Sequence, residues 1–530
     1  MGFWQKVTCY FRGLRIRVEP VIFLTTFCHI AMTIIKPGMT NEKVRRSYPP
    51  PDGLNSTKEY YNNLQIIWLQ NYDYVNVPVS CLAGIIYGAY GDVKGRKLPL
   101  LMAILSVFIE NSFHMLMWST KTDIPFEWSY LAAAICGLLG DYGLIMASAN
   151  AYLADNFSNK HYYGARMIVL SGTVTAGTFC SSWTTKLIID KSYKMVAMYM
   201  SQVGIVLIFF YALFVLKNPK PAEELKDLKK PDLKLRLQLM YLGVTLWNVF
   251  KSAGFSVYDS FKIFFVKRDG PKRHFLWICM LAYFLDEMLF GEQKALIGTY
   301  FQLFGWYSNE FARYKGLRPC YQIIGTILGV LVLRKWLKIR DTILIIFSTL
   351  SMSVFLAALG FINQYNISYI VFSALVPGGF HGLLNPLTVT FLTCVIETNE
   401  VGKILAVCSI LSKLAGVAET AILQNIYRAT LNWYKGSVWL LMALLAVISA
   451  MLYVYVALVA RRHKIGPEYY RKKKDNDAEE EEEEQQRRKD DLVNDEQEKM
   501  DLEKEEEGES NHGWLITAED FEEARMEMKV

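Results

Sequence analysis

Long apolar runs, broken by short charged clusters, recur along the chain as far as Ala460. A soluble domain hides its apolar residues in short amphipathic stretches, whereas a membrane span needs roughly 20 consecutive apolar residues to cross the hydrocarbon. On that criterion about twelve spans are predicted, approximately over 18–36, 67–90, 98–118, 127–153, 164–189, 195–217, 275–303, 311–333, 342–361, 367–393, 403–427 and 437–460. A long basic connection, 218–274, divides them six and six. That layout matches two repeated halves with a solute site between them. The expected fold is an all-α membrane protein with an N-terminal six-helix half (1–217), a connection (218–274), a C-terminal six-helix half (275–460) and a tail (461–530).

Charge refines this picture. Residues 461–530 hold 25 of the 51 acidic residues but only 14 of the 57 basic ones, so the remaining 460 carry 43 basic against 26 acidic. Basic residues that flank spans mark the cytoplasmic side, so the excess reads as topology and not as nucleic-acid binding. Arg12, Arg15 and Arg17, then Lys94, Arg96 and Lys97, the central connection, Arg334–Arg340, and Arg461, Arg462 and Lys464 all fall inside if the spans are even in number and both termini are cytoplasmic. The loop 37–66, with Lys43, Arg45, Arg46 and Lys58, is the exception that parity places outside. Its Asn55 sequon agrees, since glycosylation needs a lumenal or extracellular loop; Asn366-Ile367-Ser368 is a second outer sequon, close to the membrane.

Other features add less. Ile22–Ile35 follows a basic start without a small-residue cleavage site and reads as a signal anchor. The stretch 235–266 interleaves Trp247, Phe250, Phe255, Phe261, Phe264 and Phe265 with lysines; an amphipathic helix on the inner leaflet preserves the parity that a further span would break. The tail is acidic and of low complexity, the composition of a disordered segment. The nine cysteines contain no Cys-x-x-Cys pair and read as small apolar residues without disulfide or metal roles. No nucleotide-binding loop, zinc motif or serine-nucleophile elbow occurs, so enzymatic chemistry and any cofactor are not expected.

Ionisable residues inside spans are the candidate chemistry, because each costs several kcal/mol in a bilayer unless paired or hydrated. The seventh span is richest, with Asp286, Glu287, Glu292 and Lys294. Glu287, Gly291 and Lys294 share one helix face, where an acid and a base either meet a zwitterionic solute or form an internal ion pair. Asp141 stands in a glycine-rich turn of the fourth span. Glu110 and His114, four apart, either relay protons or face another helix, and Lys413 and Glu419 pose the same choice. His381 lies between Gly378-Gly379 and Pro386, where a break is expected; unwound backbone at membrane depth is tolerated mainly beside a cavity, and imidazole titrates near neutral pH. The hydroxyl-rich fifth span, Ser171 to Thr178, serves as a small-residue packing face or a cavity wall.

Between the second and third spans stands Gly88-Ala89-Tyr90-Gly91-Asp92-Val93-Lys94-Gly95-Arg96-Lys97. Glycines make a tight turn there, and Gly88, Asp92, Gly95 and Arg96 are expected to latch a cytoplasmic gate. This stretch resembles the major facilitator signature, apart from Val93. With Val18–Leu24, Gly137–Gly143, Ala151–Asp155, Arg166-Met167 and Ala429–Asn432 plus Lys435-Gly436, the chain is similar over about 18–460 to the proton-coupled folate transporter family of solute carriers. The resemblance implies a major facilitator fold and proton-driven uptake of organic solutes such as folates. Asp141, Asp92 and Arg96 match the family. Positions that in folate-carrying members hold the coupling glutamate, a histidine and two basic residues are here Ser171, Leu289, Ala133 and Val389. The family's outer cysteine pair is missing, with Gly305 in place of one partner.

The expected function is secondary active symport of a polar, anionic or zwitterionic organic solute with protons, by a chain that acts as a monomer among membrane lipids. A transporter-derived receptor or scaffold and a passive facilitator are the alternatives. The tail holds no acidic dileucine or Tyr-x-x-apolar signal, which places the protein at the plasma membrane first and in lysosomal or endosomal membranes second.

Overall fold

The computed structural model describes residues 18–51, 57–122, 124–156, 160–216, 251, 254, 258–259, 261–268, 270–289, 295–396 and 400–466, all within one compact unit, Met1–Gly466. Among them the regular structure is helical throughout. In the first part run α1 (Glu19–Ser47), α2 (Thr57–Lys94), α3 (Lys97–Trp118), α4 (Trp128–Leu139), α5 (Asp141–Asn156), α6 (Lys160–Lys191) and α7 (Lys194–Val215). The second part comprises α8 (Lys272–Leu289), α9 (Ala295–Leu303), α10 (Ser308–Leu328), α11 (Asp341–Gly360), α12 (Ile367–Gly378), α13 (Leu384–Val395), α14 (Val401–Ala418), α15 (Gln424–Thr430) and α16 (Ser437–Arg462).

Nine described helical stretches are long and apolar enough to cross a membrane. Three predicted spans fall short of that measure. α2 carries Asn62, Gln65, Gln70, Asn71, Asp73 and Asn76; α6 is rich in serine and threonine; α8 and α9 are separated by residues outside the description. α1 also outruns its predicted end at 36. Pro37 removes one backbone donor without stopping the helix, because Met39, Lys43 and Val44 continue its buried face. Most of the connection 218–274 and all of the acidic tail lie outside the described residues. Where the connection re-enters, Ile263 and Phe264 are buried against Phe275 and its neighbours. Arg268 pairs with Glu400 at 2.7 Å and Lys403 with Asp259 at 2.6 Å, fastening it to the start of α14.

Each half buries two apolar clusters. In the first, Val21, Ile22, Ile104 and Ile145 centre one, and Met32, Trp118, Phe126 and Met198 the other. In the second, Phe275, Leu387 and Ile404 centre one, and Tyr300, Phe355, Tyr427 and Trp439 the other. Across the halves α6 packs on α10, α9 on α1 and α2, and α14 and α15 on α2. The later part of the hydroxyl-rich stretch of α6 packs on α1, where Gly177 and Thr178 are buried, Ser181 Oγ donates to the Phe27 carbonyl at 2.6 Å and a methyl on Gly177 would lie 2.9 Å from the Phe23 carbonyl, whereas Ser171 is exposed. The described cysteines form no disulfide with one another; Cys28, Cys136, Cys279 and Cys408 are buried, but Cys180 is exposed.

Tight backbone contact joins α11 to α16, where a methyl on Gly436 would overlap the carbonyl of Gly360. The Tyr434 hydroxyl donates to that carbonyl at 2.8 Å. Overpacking of this kind costs roughly 1–3 kcal/mol, so Gly436→Ala is expected to lower the thermal unfolding midpoint of purified protein. An unchanged midpoint would show that the two helix ends are not held in this contact.

Candidate functional site

The two clusters of each half leave a polar waist between them. Along α1 the first cluster ends at Cys28 and the second resumes at Met32, with His29 between. Along α3 Glu110, Asn111 and His114 fill the interval between Val107 and Met117. Along α8 Asp286 and Glu287 separate Tyr283 from Met288, and along α14 Ser412 and Lys413 separate Cys408 from Ala415. Charges at this level have no lipid-compatible resting place except against one another, backbone or water.

In the first half these groups converge. The Lys36 ammonium stands 3.6 Å from Glu110 Oε1 and 4.4 Å from the centre of the Tyr72 ring. His114 bonds through Nδ1 to the Glu110 carbonyl oxygen at 2.8 Å. Because a carbonyl only accepts, Nδ1 carries the proton. About two turns before Lys36 on α1, His29 stacks flat on Tyr142 of α5, with centroids 4.0 Å apart, and the Tyr142 hydroxyl lies 2.9 Å from Thr26 Oγ1. Asp141, beside Tyr142, has φ 58° and follows Gly140 at φ 100°. Gly140 closes α4 in the left-handed region, and Asp141 opens α5 there too, at an energetic cost its carboxylate partly offsets by accepting the Tyr142 N–H at 2.6 Å. His29 lies within electrostatic reach of Glu110, Asp141, Lys36 and, from the second half, Lys315, and Asp141 within reach of Glu110, His29 and, from the second half, Lys413. Lys413 reaches the backbone of α5 at Gly143, where a methyl would sit 2.5 Å from Lys413 Nζ.

In the second half, neighbours in sequence diverge. Asp286 is fully buried and accepts from the Tyr453 hydroxyl at 3.0 Å, so it ties α8 to α16. Glu287, a third of a turn on, accepts from Asn385 Nδ2 at 2.8 Å and Ser412 Oγ at 2.6 Å, on α13 and α14. The two acids therefore do not share one site. Lys294 lies outside the described residues, so its pairing with Glu287 has no geometry here. The predicted break at His381 is present as a 3-10 turn, Gly379–Leu383, with the imidazole fully buried within electrostatic reach of Arg318. Arg318 donates to the Gly378 carbonyl at 2.8 Å and lies 4.3 Å from the Phe355 ring centre. His381 thus belongs to the packed interior of the second half, apart from the Asp141 group. Leu289 and Ala133, which replace polar family positions, are fully buried.

Two further features frame the waist. In the Gly88–Lys97 turn, Gly95 has φ 96°, Arg96 Nη1 donates to the Gly88 carbonyl at 3.1 Å, and a methyl on Gly91 would lie 2.8 Å from Arg96 Nη1. The Asp92 side chain lies outside the description, as does Asn55; Asn366 caps the approach to α12 and accepts from the Asn363 N–H at 2.7 Å. At the opposite end, α2 bolts the halves together. Asn62 Nδ2 donates to the Thr299 carbonyl at 2.7 Å while its Oδ1 accepts from the Tyr427 hydroxyl at 3.0 Å. Gln65 donates to the Pro37 carbonyl at 2.8 Å and Thr299 Oγ1 at 3.3 Å. Arg428 reaches Asn63 at 3.0 Å and Gln70 at 3.2 Å, and Lys435 pairs with Glu59 at 2.6 Å.

Sequence reasoning passed over Lys36, His29, Lys315 and Arg318. Lys36 falls at the end of the predicted span 18–36, which also holds His29, and Lys315 and Arg318 fall within the predicted span 311–333. Counting ionisable residues on extended helix frames would have found all four.

Comparison with known proteins agrees with this architecture. Residues 64–420 match the model of the Major Facilitator Superfamily. The "Lysosomal proton-coupled steroid conjugate and bile acid symporter SLC46A3" of Mus musculus is 26% identical over 68% of this chain and 74% of its own length. The "Probable peptidoglycan muropeptide transporter SLC46" of Drosophila melanogaster is 22% identical over 79% and 81%, and the "Proton-coupled folate transporter" of Rattus norvegicus 23% identical over 83% and 91%. All three are solute carriers of the kind the sequence motifs resemble, and none is an enzyme. Among solved structures, a peptide transporter POT in complex with sulfate superposes with a TM-score of 0.55 at 14% identity, covering 84% of this chain and 94% of that one. The xylose transporter XylE from E. coli gives 0.53 at 13% identity, over 82% and 97%. With the family model spanning most of the folded part, this multi-pass membrane chain belongs to the Major Facilitator Superfamily.

Proposed function

We propose that this chain is a proton-coupled symporter of a polar anionic or zwitterionic organic solute, working by alternating access. The observation that carries the proposal is the charged waist, in which Asp141 of one half lies within electrostatic reach of Lys413 of the other, beside His29 and the Lys36–Glu110 pair. Lysines supply cationic contacts for a carboxylate, sulfate or phosphate group on the solute, while Glu110 and Asp141 are groups that exchange protons as those contacts form and break. The names of the relatives, which include a proton-coupled steroid conjugate and bile acid symporter and a proton-coupled folate transporter, support this chemistry without identifying the substrate.

The basic clusters put both termini and the Gly88–Lys97 turn in the cytoplasm. The seal around Asn62 then closes the outer end, and the division into 1–217, 218–274, 275–460 and 461–530 separates two moving halves, their connection and a tail. Glu287, Asp286 and His381 serve the second half in this scheme, with Glu287 nearest the moving α14. Asn55 and Asn366 remain the outer glycosylation positions. A compartment acidic on the sealed side supplies the protons, at the plasma membrane or, as for the relatives named lysosomal, in the lysosome.

The test is uptake of labelled organic anions into liposomes holding the purified protein, with an imposed pH gradient, acid outside. Uptake is expected to rise with the gradient and to fall to background in Asp141→Asn, while the variant folds. Flux that ignores the gradient marks a passive facilitator. No flux for a broad anion panel, with folded protein, favours a receptor or scaffold.

A further inference from the structure

On the side of the first half, at the end bearing the Asn62 seal, the ends of α1 and α3 and the turn from α6 to α7 enclose a cleft of about 550 Å³. Its lining includes Arg46, Lys121 and Lys194 against the carboxylate of Glu42, with Trp118 and Tyr199 as walls. The charge inside is strongly one-sided. Lys194 pairs with Glu42, which leaves two cations. Arg46 Nη2 is fixed by donation to the Trp118 carbonyl at 2.8 Å. Among the described residues neither Arg46 nor Lys121 forms an ion pair with a carboxylate.

The cleft opens sideways. Tyr199 lines it and also begins an exposed apolar stripe down α7 through Val203, Leu207, Phe210 and Phe214. These positions recur at helical spacing on one face, as a lipid-facing surface requires. Tyr193, exposed at the mouth of the cleft, matches the aromatic level where headgroups lie. A ligand that fills both parts needs an anionic head and an apolar tail.

We infer that this cleft binds the phosphate-bearing headgroup of an anionic membrane lipid, whose acyl chains lie along α7. Arg46 and Lys121 contact the phosphate, and Tyr199 guides the first chain segment out of the cleft. The site is separate from the charged waist and stands whether or not the solute and proton reading holds.

The test uses full-length protein reconstituted in nanodiscs of phosphatidylcholine with or without phosphatidylglycerol, read by native mass spectrometry and thermal unfolding. Wild type is expected to retain phosphatidylglycerol and to unfold at a higher temperature in its presence. Two basic contacts at a membrane surface predict a roughly tenfold or greater loss of retained lipid in Arg46→Ala/Lys121→Ala. Lys121→Gln alone, in an exposed turn, should give a partial loss with folding intact. Inorganic phosphate added to phosphatidylcholine discs should not reproduce the thermal shift. Equal retention by the double variant and wild type overturns the inference, and so does a full shift with inorganic phosphate, which marks a site for free anions.

Discussion

Replacing Lys36 by methionine should abolish gradient-driven uptake and destabilise the protein together. The lysine side chain is 15% exposed and its partner Glu110 7%, so the pair sits away from bulk water. Removing one partner of a buried pair costs about 3–5 kcal/mol, because the other charge stays buried without compensation. Lys36→Met therefore lowers the unfolding midpoint. The double variant Lys36→Met/Glu110→Leu separates the two effects. It removes both charges, so most of the stability should return while uptake stays at background. Uptake by Lys36→Met at the wild-type rate would remove the pair from the transport cycle.

Asn62→Leu should have the second largest effect, on conformation. One buried amide bridges the Thr299 carbonyl and the Tyr427 hydroxyl, which lie on α9 and α15. A leucine of similar size leaves both without that partner, and a buried polar group deprived of its partner costs about 1–3 kcal/mol. The loss falls on the sealed state alone, since the bonds join elements that part when the seal opens. With every 1.4 kcal/mol worth about tenfold, the balance moves toward the open form by one order of magnitude or more. Spin labels on cysteines introduced at Lys58 and Tyr307, in a Cys180→Ser background, report the width of this end. The variant should show a longer majority distance than its parent. An unchanged distribution would mean that the seal rests on other contacts.

Much of the architecture was legible in the chain because lipid imposes a simple rule on apolar length. α3, α11 and α16 are near-continuous apolar runs and fall close to their predicted bounds. α2 was harder to judge, since its asparagines and glutamines serve the seal and dilute the apolar signal. The break at His381 was predictable from glycine and proline punctuation, but its burial beside Arg318 was not, because that contact joins residues 63 positions apart. Asp141 was flagged by its glycines, and the turn indeed holds two successive positive-φ residues. Asp286 and Glu287 looked like one site because they are adjacent, yet adjacent residues on a helix point about 100° apart. Lys36 is the last residue of the predicted span 18–36, and the helix in fact continues to Ser47.

The central claim is that the charged waist moves a solute and a proton together. The most direct measurement is proton entry itself, followed by a pH-sensitive dye trapped in liposomes, when a transported organic anion is added outside without a pre-set gradient. The account predicts internal acidification that starts with the solute, is lost in Asp141→Asn and in Lys36→Met/Glu110→Leu, and is absent from empty liposomes. Solute entry with no change in internal pH would contradict it.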